Sequence, residues 1–428
     1  MLLQFSCSNH RSIKDSITFS MIATNDTTAS NRLKAFGGHE VVRTVAIYGP
    51  NGSGKSNFIN AIDFAKSVVM NSLSHQPGMK IIQRPHKLLN ANIPSSYDFQ
   101  FVVDEIRYAY GFSIVSGIID EEYLYYFPKV RKVKVFERKG LKITPGNKYK
   151  GSFELSKEVL KDNRLFLSCA ANFSKVEAIE KAFLFFSQDI VVYKTYVDEP
   201  RTNNWYEYSV QLMEKNPIVK KAFVDFLKAL DTGIVDVKTK TENVDTEKIT
   251  EGMPEALRTL FKTSELLPSE MKNLQATIVY ENFETDLMTE ESTGIQKLFQ
   301  IVCPILDIVV NGKVLIFDEI ETGLHESVVH KLIEFFYAML PEKFAQLIFT
   351  THDTSLLDSE LFRRDQIWFT QLKPETRSTD LYSLVEIRNV RKNENLAKGY
   401  VEGKYGAIPV LNESFRTFIE NIETSSEV

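Results

Sequence analysis

Apolar and polar residues alternate in several registers along this chain, and the register changes at a few points. Leu3-Gln4-Phe5 and Ile17-Thr18-Phe19 repeat with period two, which predicts two strands joined through the polar turn Asn9-His10-Arg11-Ser12. Val45-Ala46-Ile47-Tyr48 is a continuous apolar run, the pattern of a short strand covered on both faces. Phe58, Ile59 and Ile62 then recur at helical spacing. A polar stretch with Pro77, Pro85 and Pro94 interrupts the pattern, and from Tyr97 the period returns to two. Tyr97 to Val103, Ile106 to Val115, Ile118 to Phe127 and Lys132 to Glu137 read as a hairpin meander. It turns again at Arg138-Lys139-Gly140-Leu141 and returns through Lys142-Ile143.

Residues 152–230 are mostly helical in pattern. Phe166-Leu167-Ser168 reads as a short strand, Val176 to Phe186 as a helix and Ile190 to Tyr193 as a strand. Two helices are expected within residues 205–230, divided at Asn216-Pro217, and Lys238 to Gly252 reads as a polar loop. Leu298 to Val310 is apolar but holds Pro304 and Asp307, so it reads as a core helix; no run reaches the roughly 18 apolar residues of a membrane span. Lys313 to Phe317 and Leu347 to Phe349 read as buried strands that end in polar residues. No heptad pattern, internal repeat or low-complexity tract is seen. These elements predict an α/β fold with a mixed core sheet, an antiparallel meander and an inserted helical lobe. The expected divisions are residues 1–150, 151–285 and 286–428.

Composition narrows the class. Of 428 residues, 43% are hydrophobic and 25% charged, the balance of a globular chain rather than a disordered or fibrous one. A net charge of −5 carries no global basic surplus for nucleic acid, although Val130-Arg131-Lys132-Val133-Lys134-Val135 is locally basic. That row reads either as a charged edge strand guarded against aggregation or as a track for a phosphate backbone, with Arg138 and Lys139 beside it. Arg388 to Lys404 is a second basic stretch, read as a solvated helix face or a dock for an acidic partner. Cys7, Cys169 and Cys303 lack metal-ligand spacing and read as buried thiols of a reducing cytoplasm. Leu2-Leu3 is followed at once by polar residues, so neither a signal peptide nor a membrane association is expected.

Two stretches carry chemistry. Gly49-Pro50-Asn51-Gly52-Ser53-Gly54-Lys55-Ser56 fits G-x-x-x-x-G-K-[ST] between an apolar strand and a helix. Its glycines allow main-chain N–H groups to curl around phosphate oxygens at a helix N-terminus. Lys55 would reach the outer phosphates and the Ser56 hydroxyl would bind Mg2+. Val314-Leu315-Ile316-Phe317-Asp318-Glu319 is a buried strand ending in two carboxylates. Asp318 would enter the shell of that metal, and Glu319 would orient or deprotonate an attacking water. Glu291-Ser292-Thr293-Gly294-Ile295-Gln296 precedes a helix with Ser292 as N-cap, and His352 follows the strand Leu347 to Thr350. Arg11 either approaches a phosphate or is a solvated turn residue.

The order of these motifs resembles the ABC-type ATPase heads. It is most similar to the SMC-like and OLD-like bacterial ATPases, many of which serve in anti-phage and abortive-infection systems such as PARIS and Septu. Asp231-Thr232-Gly233-Ile234, Asp365-Gln366-Ile367-Trp368 and Tyr405-Gly406-Ala407-Ile408-Pro409 resemble further marks of that group. The resemblance implies ATP and Mg2+ held by Gly49, Asn51, Gly52, Ser53, Gly54, Lys55, Ser56, Asn57 and Arg11, with Ser56 and Asp318 at the metal. It implies catalytic roles for Lys55, Glu319 and His352. It also implies that Ser292, Gly294 and Gln296 close on the nucleotide of a second copy, giving a dimer or a multiple of dimers. Thr293 and Ile295 depart from the commoner Ser-Gly-Gly signature, and Thr322-Gly323-Leu324-His325 stands where a dimer-contacting loop belongs. Gln100 and Gln188 are candidates for the glutamine that links nucleotide and helical lobe. The implied function is a regulatory ATPase that controls a separate effector protein. A DNA-clamping ATPase, with contacts at Arg131, Lys132, Lys134, Arg138 and Lys139, is the second expectation; a transporter subunit and an ATP-locked interaction module are weaker ones.

Overall fold

The computed structural model describes residues 1–26, 32–129, 131–194, 205–244, 271–338, 343–391 and 394–409. Val130, Lys392 and residues 245–252 of the expected loop lie outside these. The chain forms two compact units, Met1–Ile190 with Ile348–Val428, and Val191–Leu347.

The first unit opens with β1 (Leu2–Ser8), β2 (Ile17–Ser20), β3 (Lys34–Phe36), β4 (His39–Val41), β5 (Thr44–Tyr48) and α1 (Lys55–Asn71). The meander follows as β6 (Ser95–Val103), β7 (Ile106–Val115), β8 (Ile118–Phe127), β9 (Val133–Lys139) and β10 (Lys142–Pro145), then α2 (Glu154–Glu158), α3 (Phe166–Phe173) and α4 (Glu177–Leu184). An antiparallel sheet runs in the order β10-β9-β8-β7-β6-β1-β2. Its register sets Phe5 opposite both Phe19 and Phe99. The aromatic face so formed receives α1, whose Phe58 meets Phe5 at 5.9 Å and Phe19 at 5.4 Å. Burial of such rings is the main driving force for seating the helix.

Two readings of this unit change. Phe166-Leu167-Ser168 begins a helix rather than a strand. Two apolar residues and a serine fit either period; the buried Glu122 carboxylate decides, accepting the otherwise orphan N–H groups of Phe166 and Leu167 at 2.6 and 2.8 Å. Most of the basic row is engaged, while Arg131 is exposed. Arg138 is fully buried and paired with Glu122 at 3.2 Å, Lys139 meets Asp120 and Glu121, Lys134 meets Glu137, and Lys132 lies over the Tyr125 ring at 3.5 Å.

The second unit continues with β11 (Ile190–Tyr193), whose first residue still belongs to the first unit, then α5 (Trp205–Lys215) and α6 (Pro217–Ala229). Asn216 caps α6 by accepting from Ile218 and Val219, with Pro217 at the first helical position. β12 (Asp236–Val244), β13 (Met271–Val279) and β14 (Glu284–Asp286) make a small antiparallel sheet. Lys238 to Val244 is therefore a strand and not a loop, paired along its length by β13 despite its polar side chains. Next come α7 (Thr293–Asn311), β15 (Val314–Phe317) and α8 (Glu326–Ala338). Among the described residues α7 is long and apolar enough to cross a membrane, contrary to expectation, with a mean hydropathy of 1.5 over its apolar window. It is nevertheless mostly buried, with Phe299 against Tyr206 and Phe223. Pro304 stays within the helix, and Asp307 is satisfied by Tyr208, Asn311 and Lys313.

The chain re-enters the first unit within β16 (Gln346–Thr350) and adds β17 (Ile367–Lys373), β18 (Ser378–Ser383) and α9 (Leu396–Val401). There the order is β16-β5-β17-β18. β17 is parallel to β5, with Phe369 opposite Tyr48, and β18 returns antiparallel. Asp365 and Gln366 fix this arrangement. Asp365 is gripped by Arg363 and by Thr24, and the Gln366 amide donates to the Thr44 carbonyl at 2.7 Å.

Candidate nucleotide-binding site

β5 delivers the chain into the loop at Gly49, and α1 begins at Lys55. Two glycines are required by space. A Cβ at Gly54, where φ is +107°, would lie 1.9 Å from the Thr379 hydroxyl; one at Gly49 would lie 2.4 Å from the Thr370 hydroxyl. These threonines, from β17 and β18, brace the loop. Thr370 meets the Ser53 hydroxyl at 2.6 Å, and Thr379 donates to the Ser53 carbonyl at 2.9 Å. The Lys55 side chain is buried, and its ammonium donates to the carbonyls of Gly49 at 2.7 Å and Pro50 at 3.3 Å. Ser56 and Asn51 are exposed and Asn57 is half-buried. Asn57 donates to Ser12 at 2.7 Å, and the Ser12 and Thr379 hydroxyls are 2.7 Å apart.

The Asn9–Ser12 turn is thereby tied to the loop. Asn9 and Arg11 both have left-handed backbones, with φ of 53° and 50°. His10 is buried with one ring nitrogen 2.8 Å from the Tyr97 hydroxyl and the other 3.0 Å from the Asn60 carboxamide oxygen. Burial pushes its pKa down to about 4, only partly opposed by the Asn60 bond. His352 is exposed one residue beyond Thr351, whose N–H donates to the Ile47 carbonyl at 3.1 Å. This places His352 at the end of β5 that leads into the phosphate loop. Gln100 instead lies within the meander, bonded to Gln4, and Gln188 is exposed beyond α4.

The remaining predicted residues lie in the second unit. β15 ends at Phe317, whose ring stacks on Tyr193 at 4.3 Å; Asp318 follows, buried, and donates its N–H to the Tyr193 carbonyl at 2.9 Å. Glu319 has φ of 54°, a conformation that a non-glycine residue adopts only under constraint. The turn Glu319–Thr322 supplies it, since Thr322 donates its N–H to the Glu319 carbonyl at 3.0 Å. Ser292 caps α7 by accepting from Ile295, and Ser292, Thr293 and Gly294 are exposed. The Gln296 amide donates to the carbonyls of Met288 and Glu291 and holds the preceding turn. The structure thus gathers Gly49–Asn57, the Arg11 turn and His352 in one unit, and Ser292, Gly294, Gln296, Asp318 and Glu319 in the other. Thr370 and Thr379 were not legible in the sequence, because their role depends on a hairpin more than 300 residues from the loop.

Residues 45–149 and 265–358 match the family model described as an AAA domain, putative AbiEii toxin, of a type IV toxin–antitoxin system. The matched segments contain the phosphate loop and meander, and then the Ser292 turn, Asp318-Glu319 and His352. The match supports an ABC-type ATPase. No curated protein matches the chain. Among solved structures, an Smc head bound to the C-winged helix domain of ScpA is similar at TM-score 0.44 and 11% identity, covering 90% of this chain and 99% of that one. The SMC head domain of Thermotoga maritima gives 0.40 and 13%, covering 89% and 98%. A Pyrococcus furiosus Smc head with an extended coiled coil, bound to the C-terminal domain of ScpA, gives 0.41 and 12%, covering 90% and 97%.

The residues present fit a nucleoside triphosphate with Mg2+. Within the first unit the buried Lys55 ammonium is held by loop carbonyls, the loop precedes a helix N-terminus, and the Ser56 side chain is exposed at the first turn of that helix.

Proposed function

We propose that this chain binds and hydrolyses ATP and uses the cycle to regulate a separate effector protein in a defence system of the abortive-infection kind. The observation that carries the nucleotide reading is the phosphate loop itself, with Lys55 buried among loop carbonyls and both neighbouring threonines closing on it. The effector and the defence role rest on the family match and on the resemblance of the motifs.

Bound MgATP would supply the transferable phosphoryl group and the charge of the metal. The chain's residues would do the rest. Loop N–H groups and Lys55 would bind the phosphates, Ser56 and Asp318 would hold the metal, Glu319 would accept a proton from water at its carboxylate, and His352 would donate to phosphate oxygens. Arg11 is a phosphate contact from its turn, and Ser292 and Gly294 bind the nucleotide of a second copy. The DNA-clamping alternative loses Arg138, which is buried against Glu122, and shares Lys134 and Lys139 with carboxylates, while Arg131 and Lys132 stay exposed.

The test is nucleotide binding and phosphate release by the full chain. Lys55→Ala is expected to abolish ATP binding. Glu319→Gln is expected to keep it while slowing turnover by about 100-fold or more, the scale of a lost general base. Tight ATP binding by Lys55→Ala, or near-normal turnover by Glu319→Gln, would overturn the respective assignment.

A further inference from the structure

Between the short 3-10 turn Ser72–Ser74, at the end of α1, and β6 the chain runs for twenty residues without a helix or strand. Ordered loops of this length are uncommon unless they serve a purpose. Much of this segment's backbone is captured by side chains from outside it. Asn163 donates to the carbonyls of Gln76 and Met79, and Arg164 to that of His75. Asn9 accepts from the His86 N–H and donates to the Ile93 carbonyl, and Ser116 donates to Ala91. Ile81 and His86 point inward and anchor it. The segment is a fixed strap.

Its outer face is apolar and cationic. Ile82 is 80% exposed and Leu88 60%, with Met79 and Ile93 exposed beside them. Lys80, Arg84 and Lys87 are also exposed. From Phe64 to Tyr97 the chain contains no carboxylate, although its net charge is −5. Exposed side chains of this size on a fixed backbone gain little from solvent and much from being covered. A covering surface that carried basic residues would be repelled, and one that carried carboxylates would be electrostatically complementary to Lys80 and Lys87.

We propose that the strap, centred on Ile82 and Leu88, is a docking surface for a partner protein, which engages it through a segment that combines apolar side chains with Asp or Glu. The apolar groups cover Ile82, Leu88 and Met79, and the carboxylates meet Lys80 and Lys87. The strap also touches the turn beside the phosphate loop, because the Arg11 N–H donates to the Arg84 carbonyl at 2.6 Å. The docking itself does not depend on the ATPase reading.

The experiment pans a displayed library of random 16-residue peptides against the full chain. Enriched peptides are then measured against Ile82→Asp/Leu88→Asp and Lys80→Glu/Lys87→Glu variants, with the thermal unfolding midpoint and far-ultraviolet circular dichroism as the check that each variant is folded. Expected is enrichment of acidic, apolar peptides whose affinity falls at least tenfold in both variants and is unchanged in Lys55→Ala. No enrichment, peptides without acidic bias, or equal binding to the variants would overturn the proposal. So would vesicles of anionic lipid binding the strap when no peptide does. A Lys55→Ala protein that keeps the peptide while wild type fails to bind ATP would sink the nucleotide reading and leave the docking surface intact.

Discussion

At the scale of single residues, the phosphate loop is positioned by groups that never touch phosphate in the proposed chemistry. Thr379 joins the Ser53 carbonyl to the Ser12 hydroxyl and faces the place where a Cβ of residue 54 would stand. Thr379→Val is isosteric but removes these bonds. At about 1–2 kcal/mol for hydrogen bonds lost in a buried setting, ATP affinity should fall roughly tenfold. Thr379→Ser should restore it, and calorimetric titration with ATP distinguishes the two. Gly54→Ala should fare worse, because both its φ and its space are excluded. His10 gives a pH signature. Its pKa is depressed from 6.5 to about 4, so the unfolded chain binds a proton that the native turn refuses. Its contribution is fully present above pH 6.5 and is lost as pH falls toward 4, up to about 3 kcal/mol at 1.36 kcal/mol per pH unit. Unfolding midpoints measured across this window should flatten in His10→Gln; an unchanged slope would assign the acid sensitivity elsewhere.

At the scale of elements, the Glu122–Arg138 pair shows why part of the sequence was legible and part was not. Period-two alternation placed β6 to β10 nearly to the residue, since an antiparallel sheet with one packed face writes its register into the chain. The same alternation made Arg138 look like one of a row of exposed cations. Its guanidinium instead points to the covered face, where it meets Glu122 and donates to the carbonyls of Gly140, Lys161 and Arg164. Burial raises the Glu122 pKa, and Arg138 with the N–H groups of α3 opposes that rise. Arg138→Ala should therefore cost about 3–5 kcal/mol, the scale for a buried charge left alone. Pairing it with Glu122→Gln should recover part of this, read as the midpoint of denaturant unfolding. Neither α3 nor β12 was readable as such. The start of α3 depends on a carboxylate 44 residues away, and β12 depends on a partner strand across residues outside the described ones.

At the scale of the whole molecule, the motif order was legible because each motif is a strand or helix terminus with a fixed chemical job. How the chain groups into compact units depends on contacts between distant segments. One compact unit holds Lys55 and His352, and the other holds Asp318, Glu319 and the exposed turn at Ser292. That turn offers the sharpest test of assembly. Gly294 is exposed and a Cβ on it would meet only the Ser292 hydroxyl, at an ordinary 3.8 Å, so a side chain can start there without a clash. If Ser292 and Gly294 bind the nucleotide of a second copy, Glu319→Gln with ATP and Mg2+ should run at twice 49.0 kDa or a multiple of it in native mass measurements. Without nucleotide the mass should be smaller. Adding Gly294→Arg should remove the nucleotide-dependent increase while ATP binding by each copy persists. An increase that survives Gly294→Arg would locate the contact elsewhere on the surface. A multiple of the monomer mass that ignores ATP would mean that the copies stand together before nucleotide arrives and that hydrolysis acts on shape within a standing assembly, whereas a monomer under both conditions would mean that the departing signature is too weak to close or that another subunit completes the site.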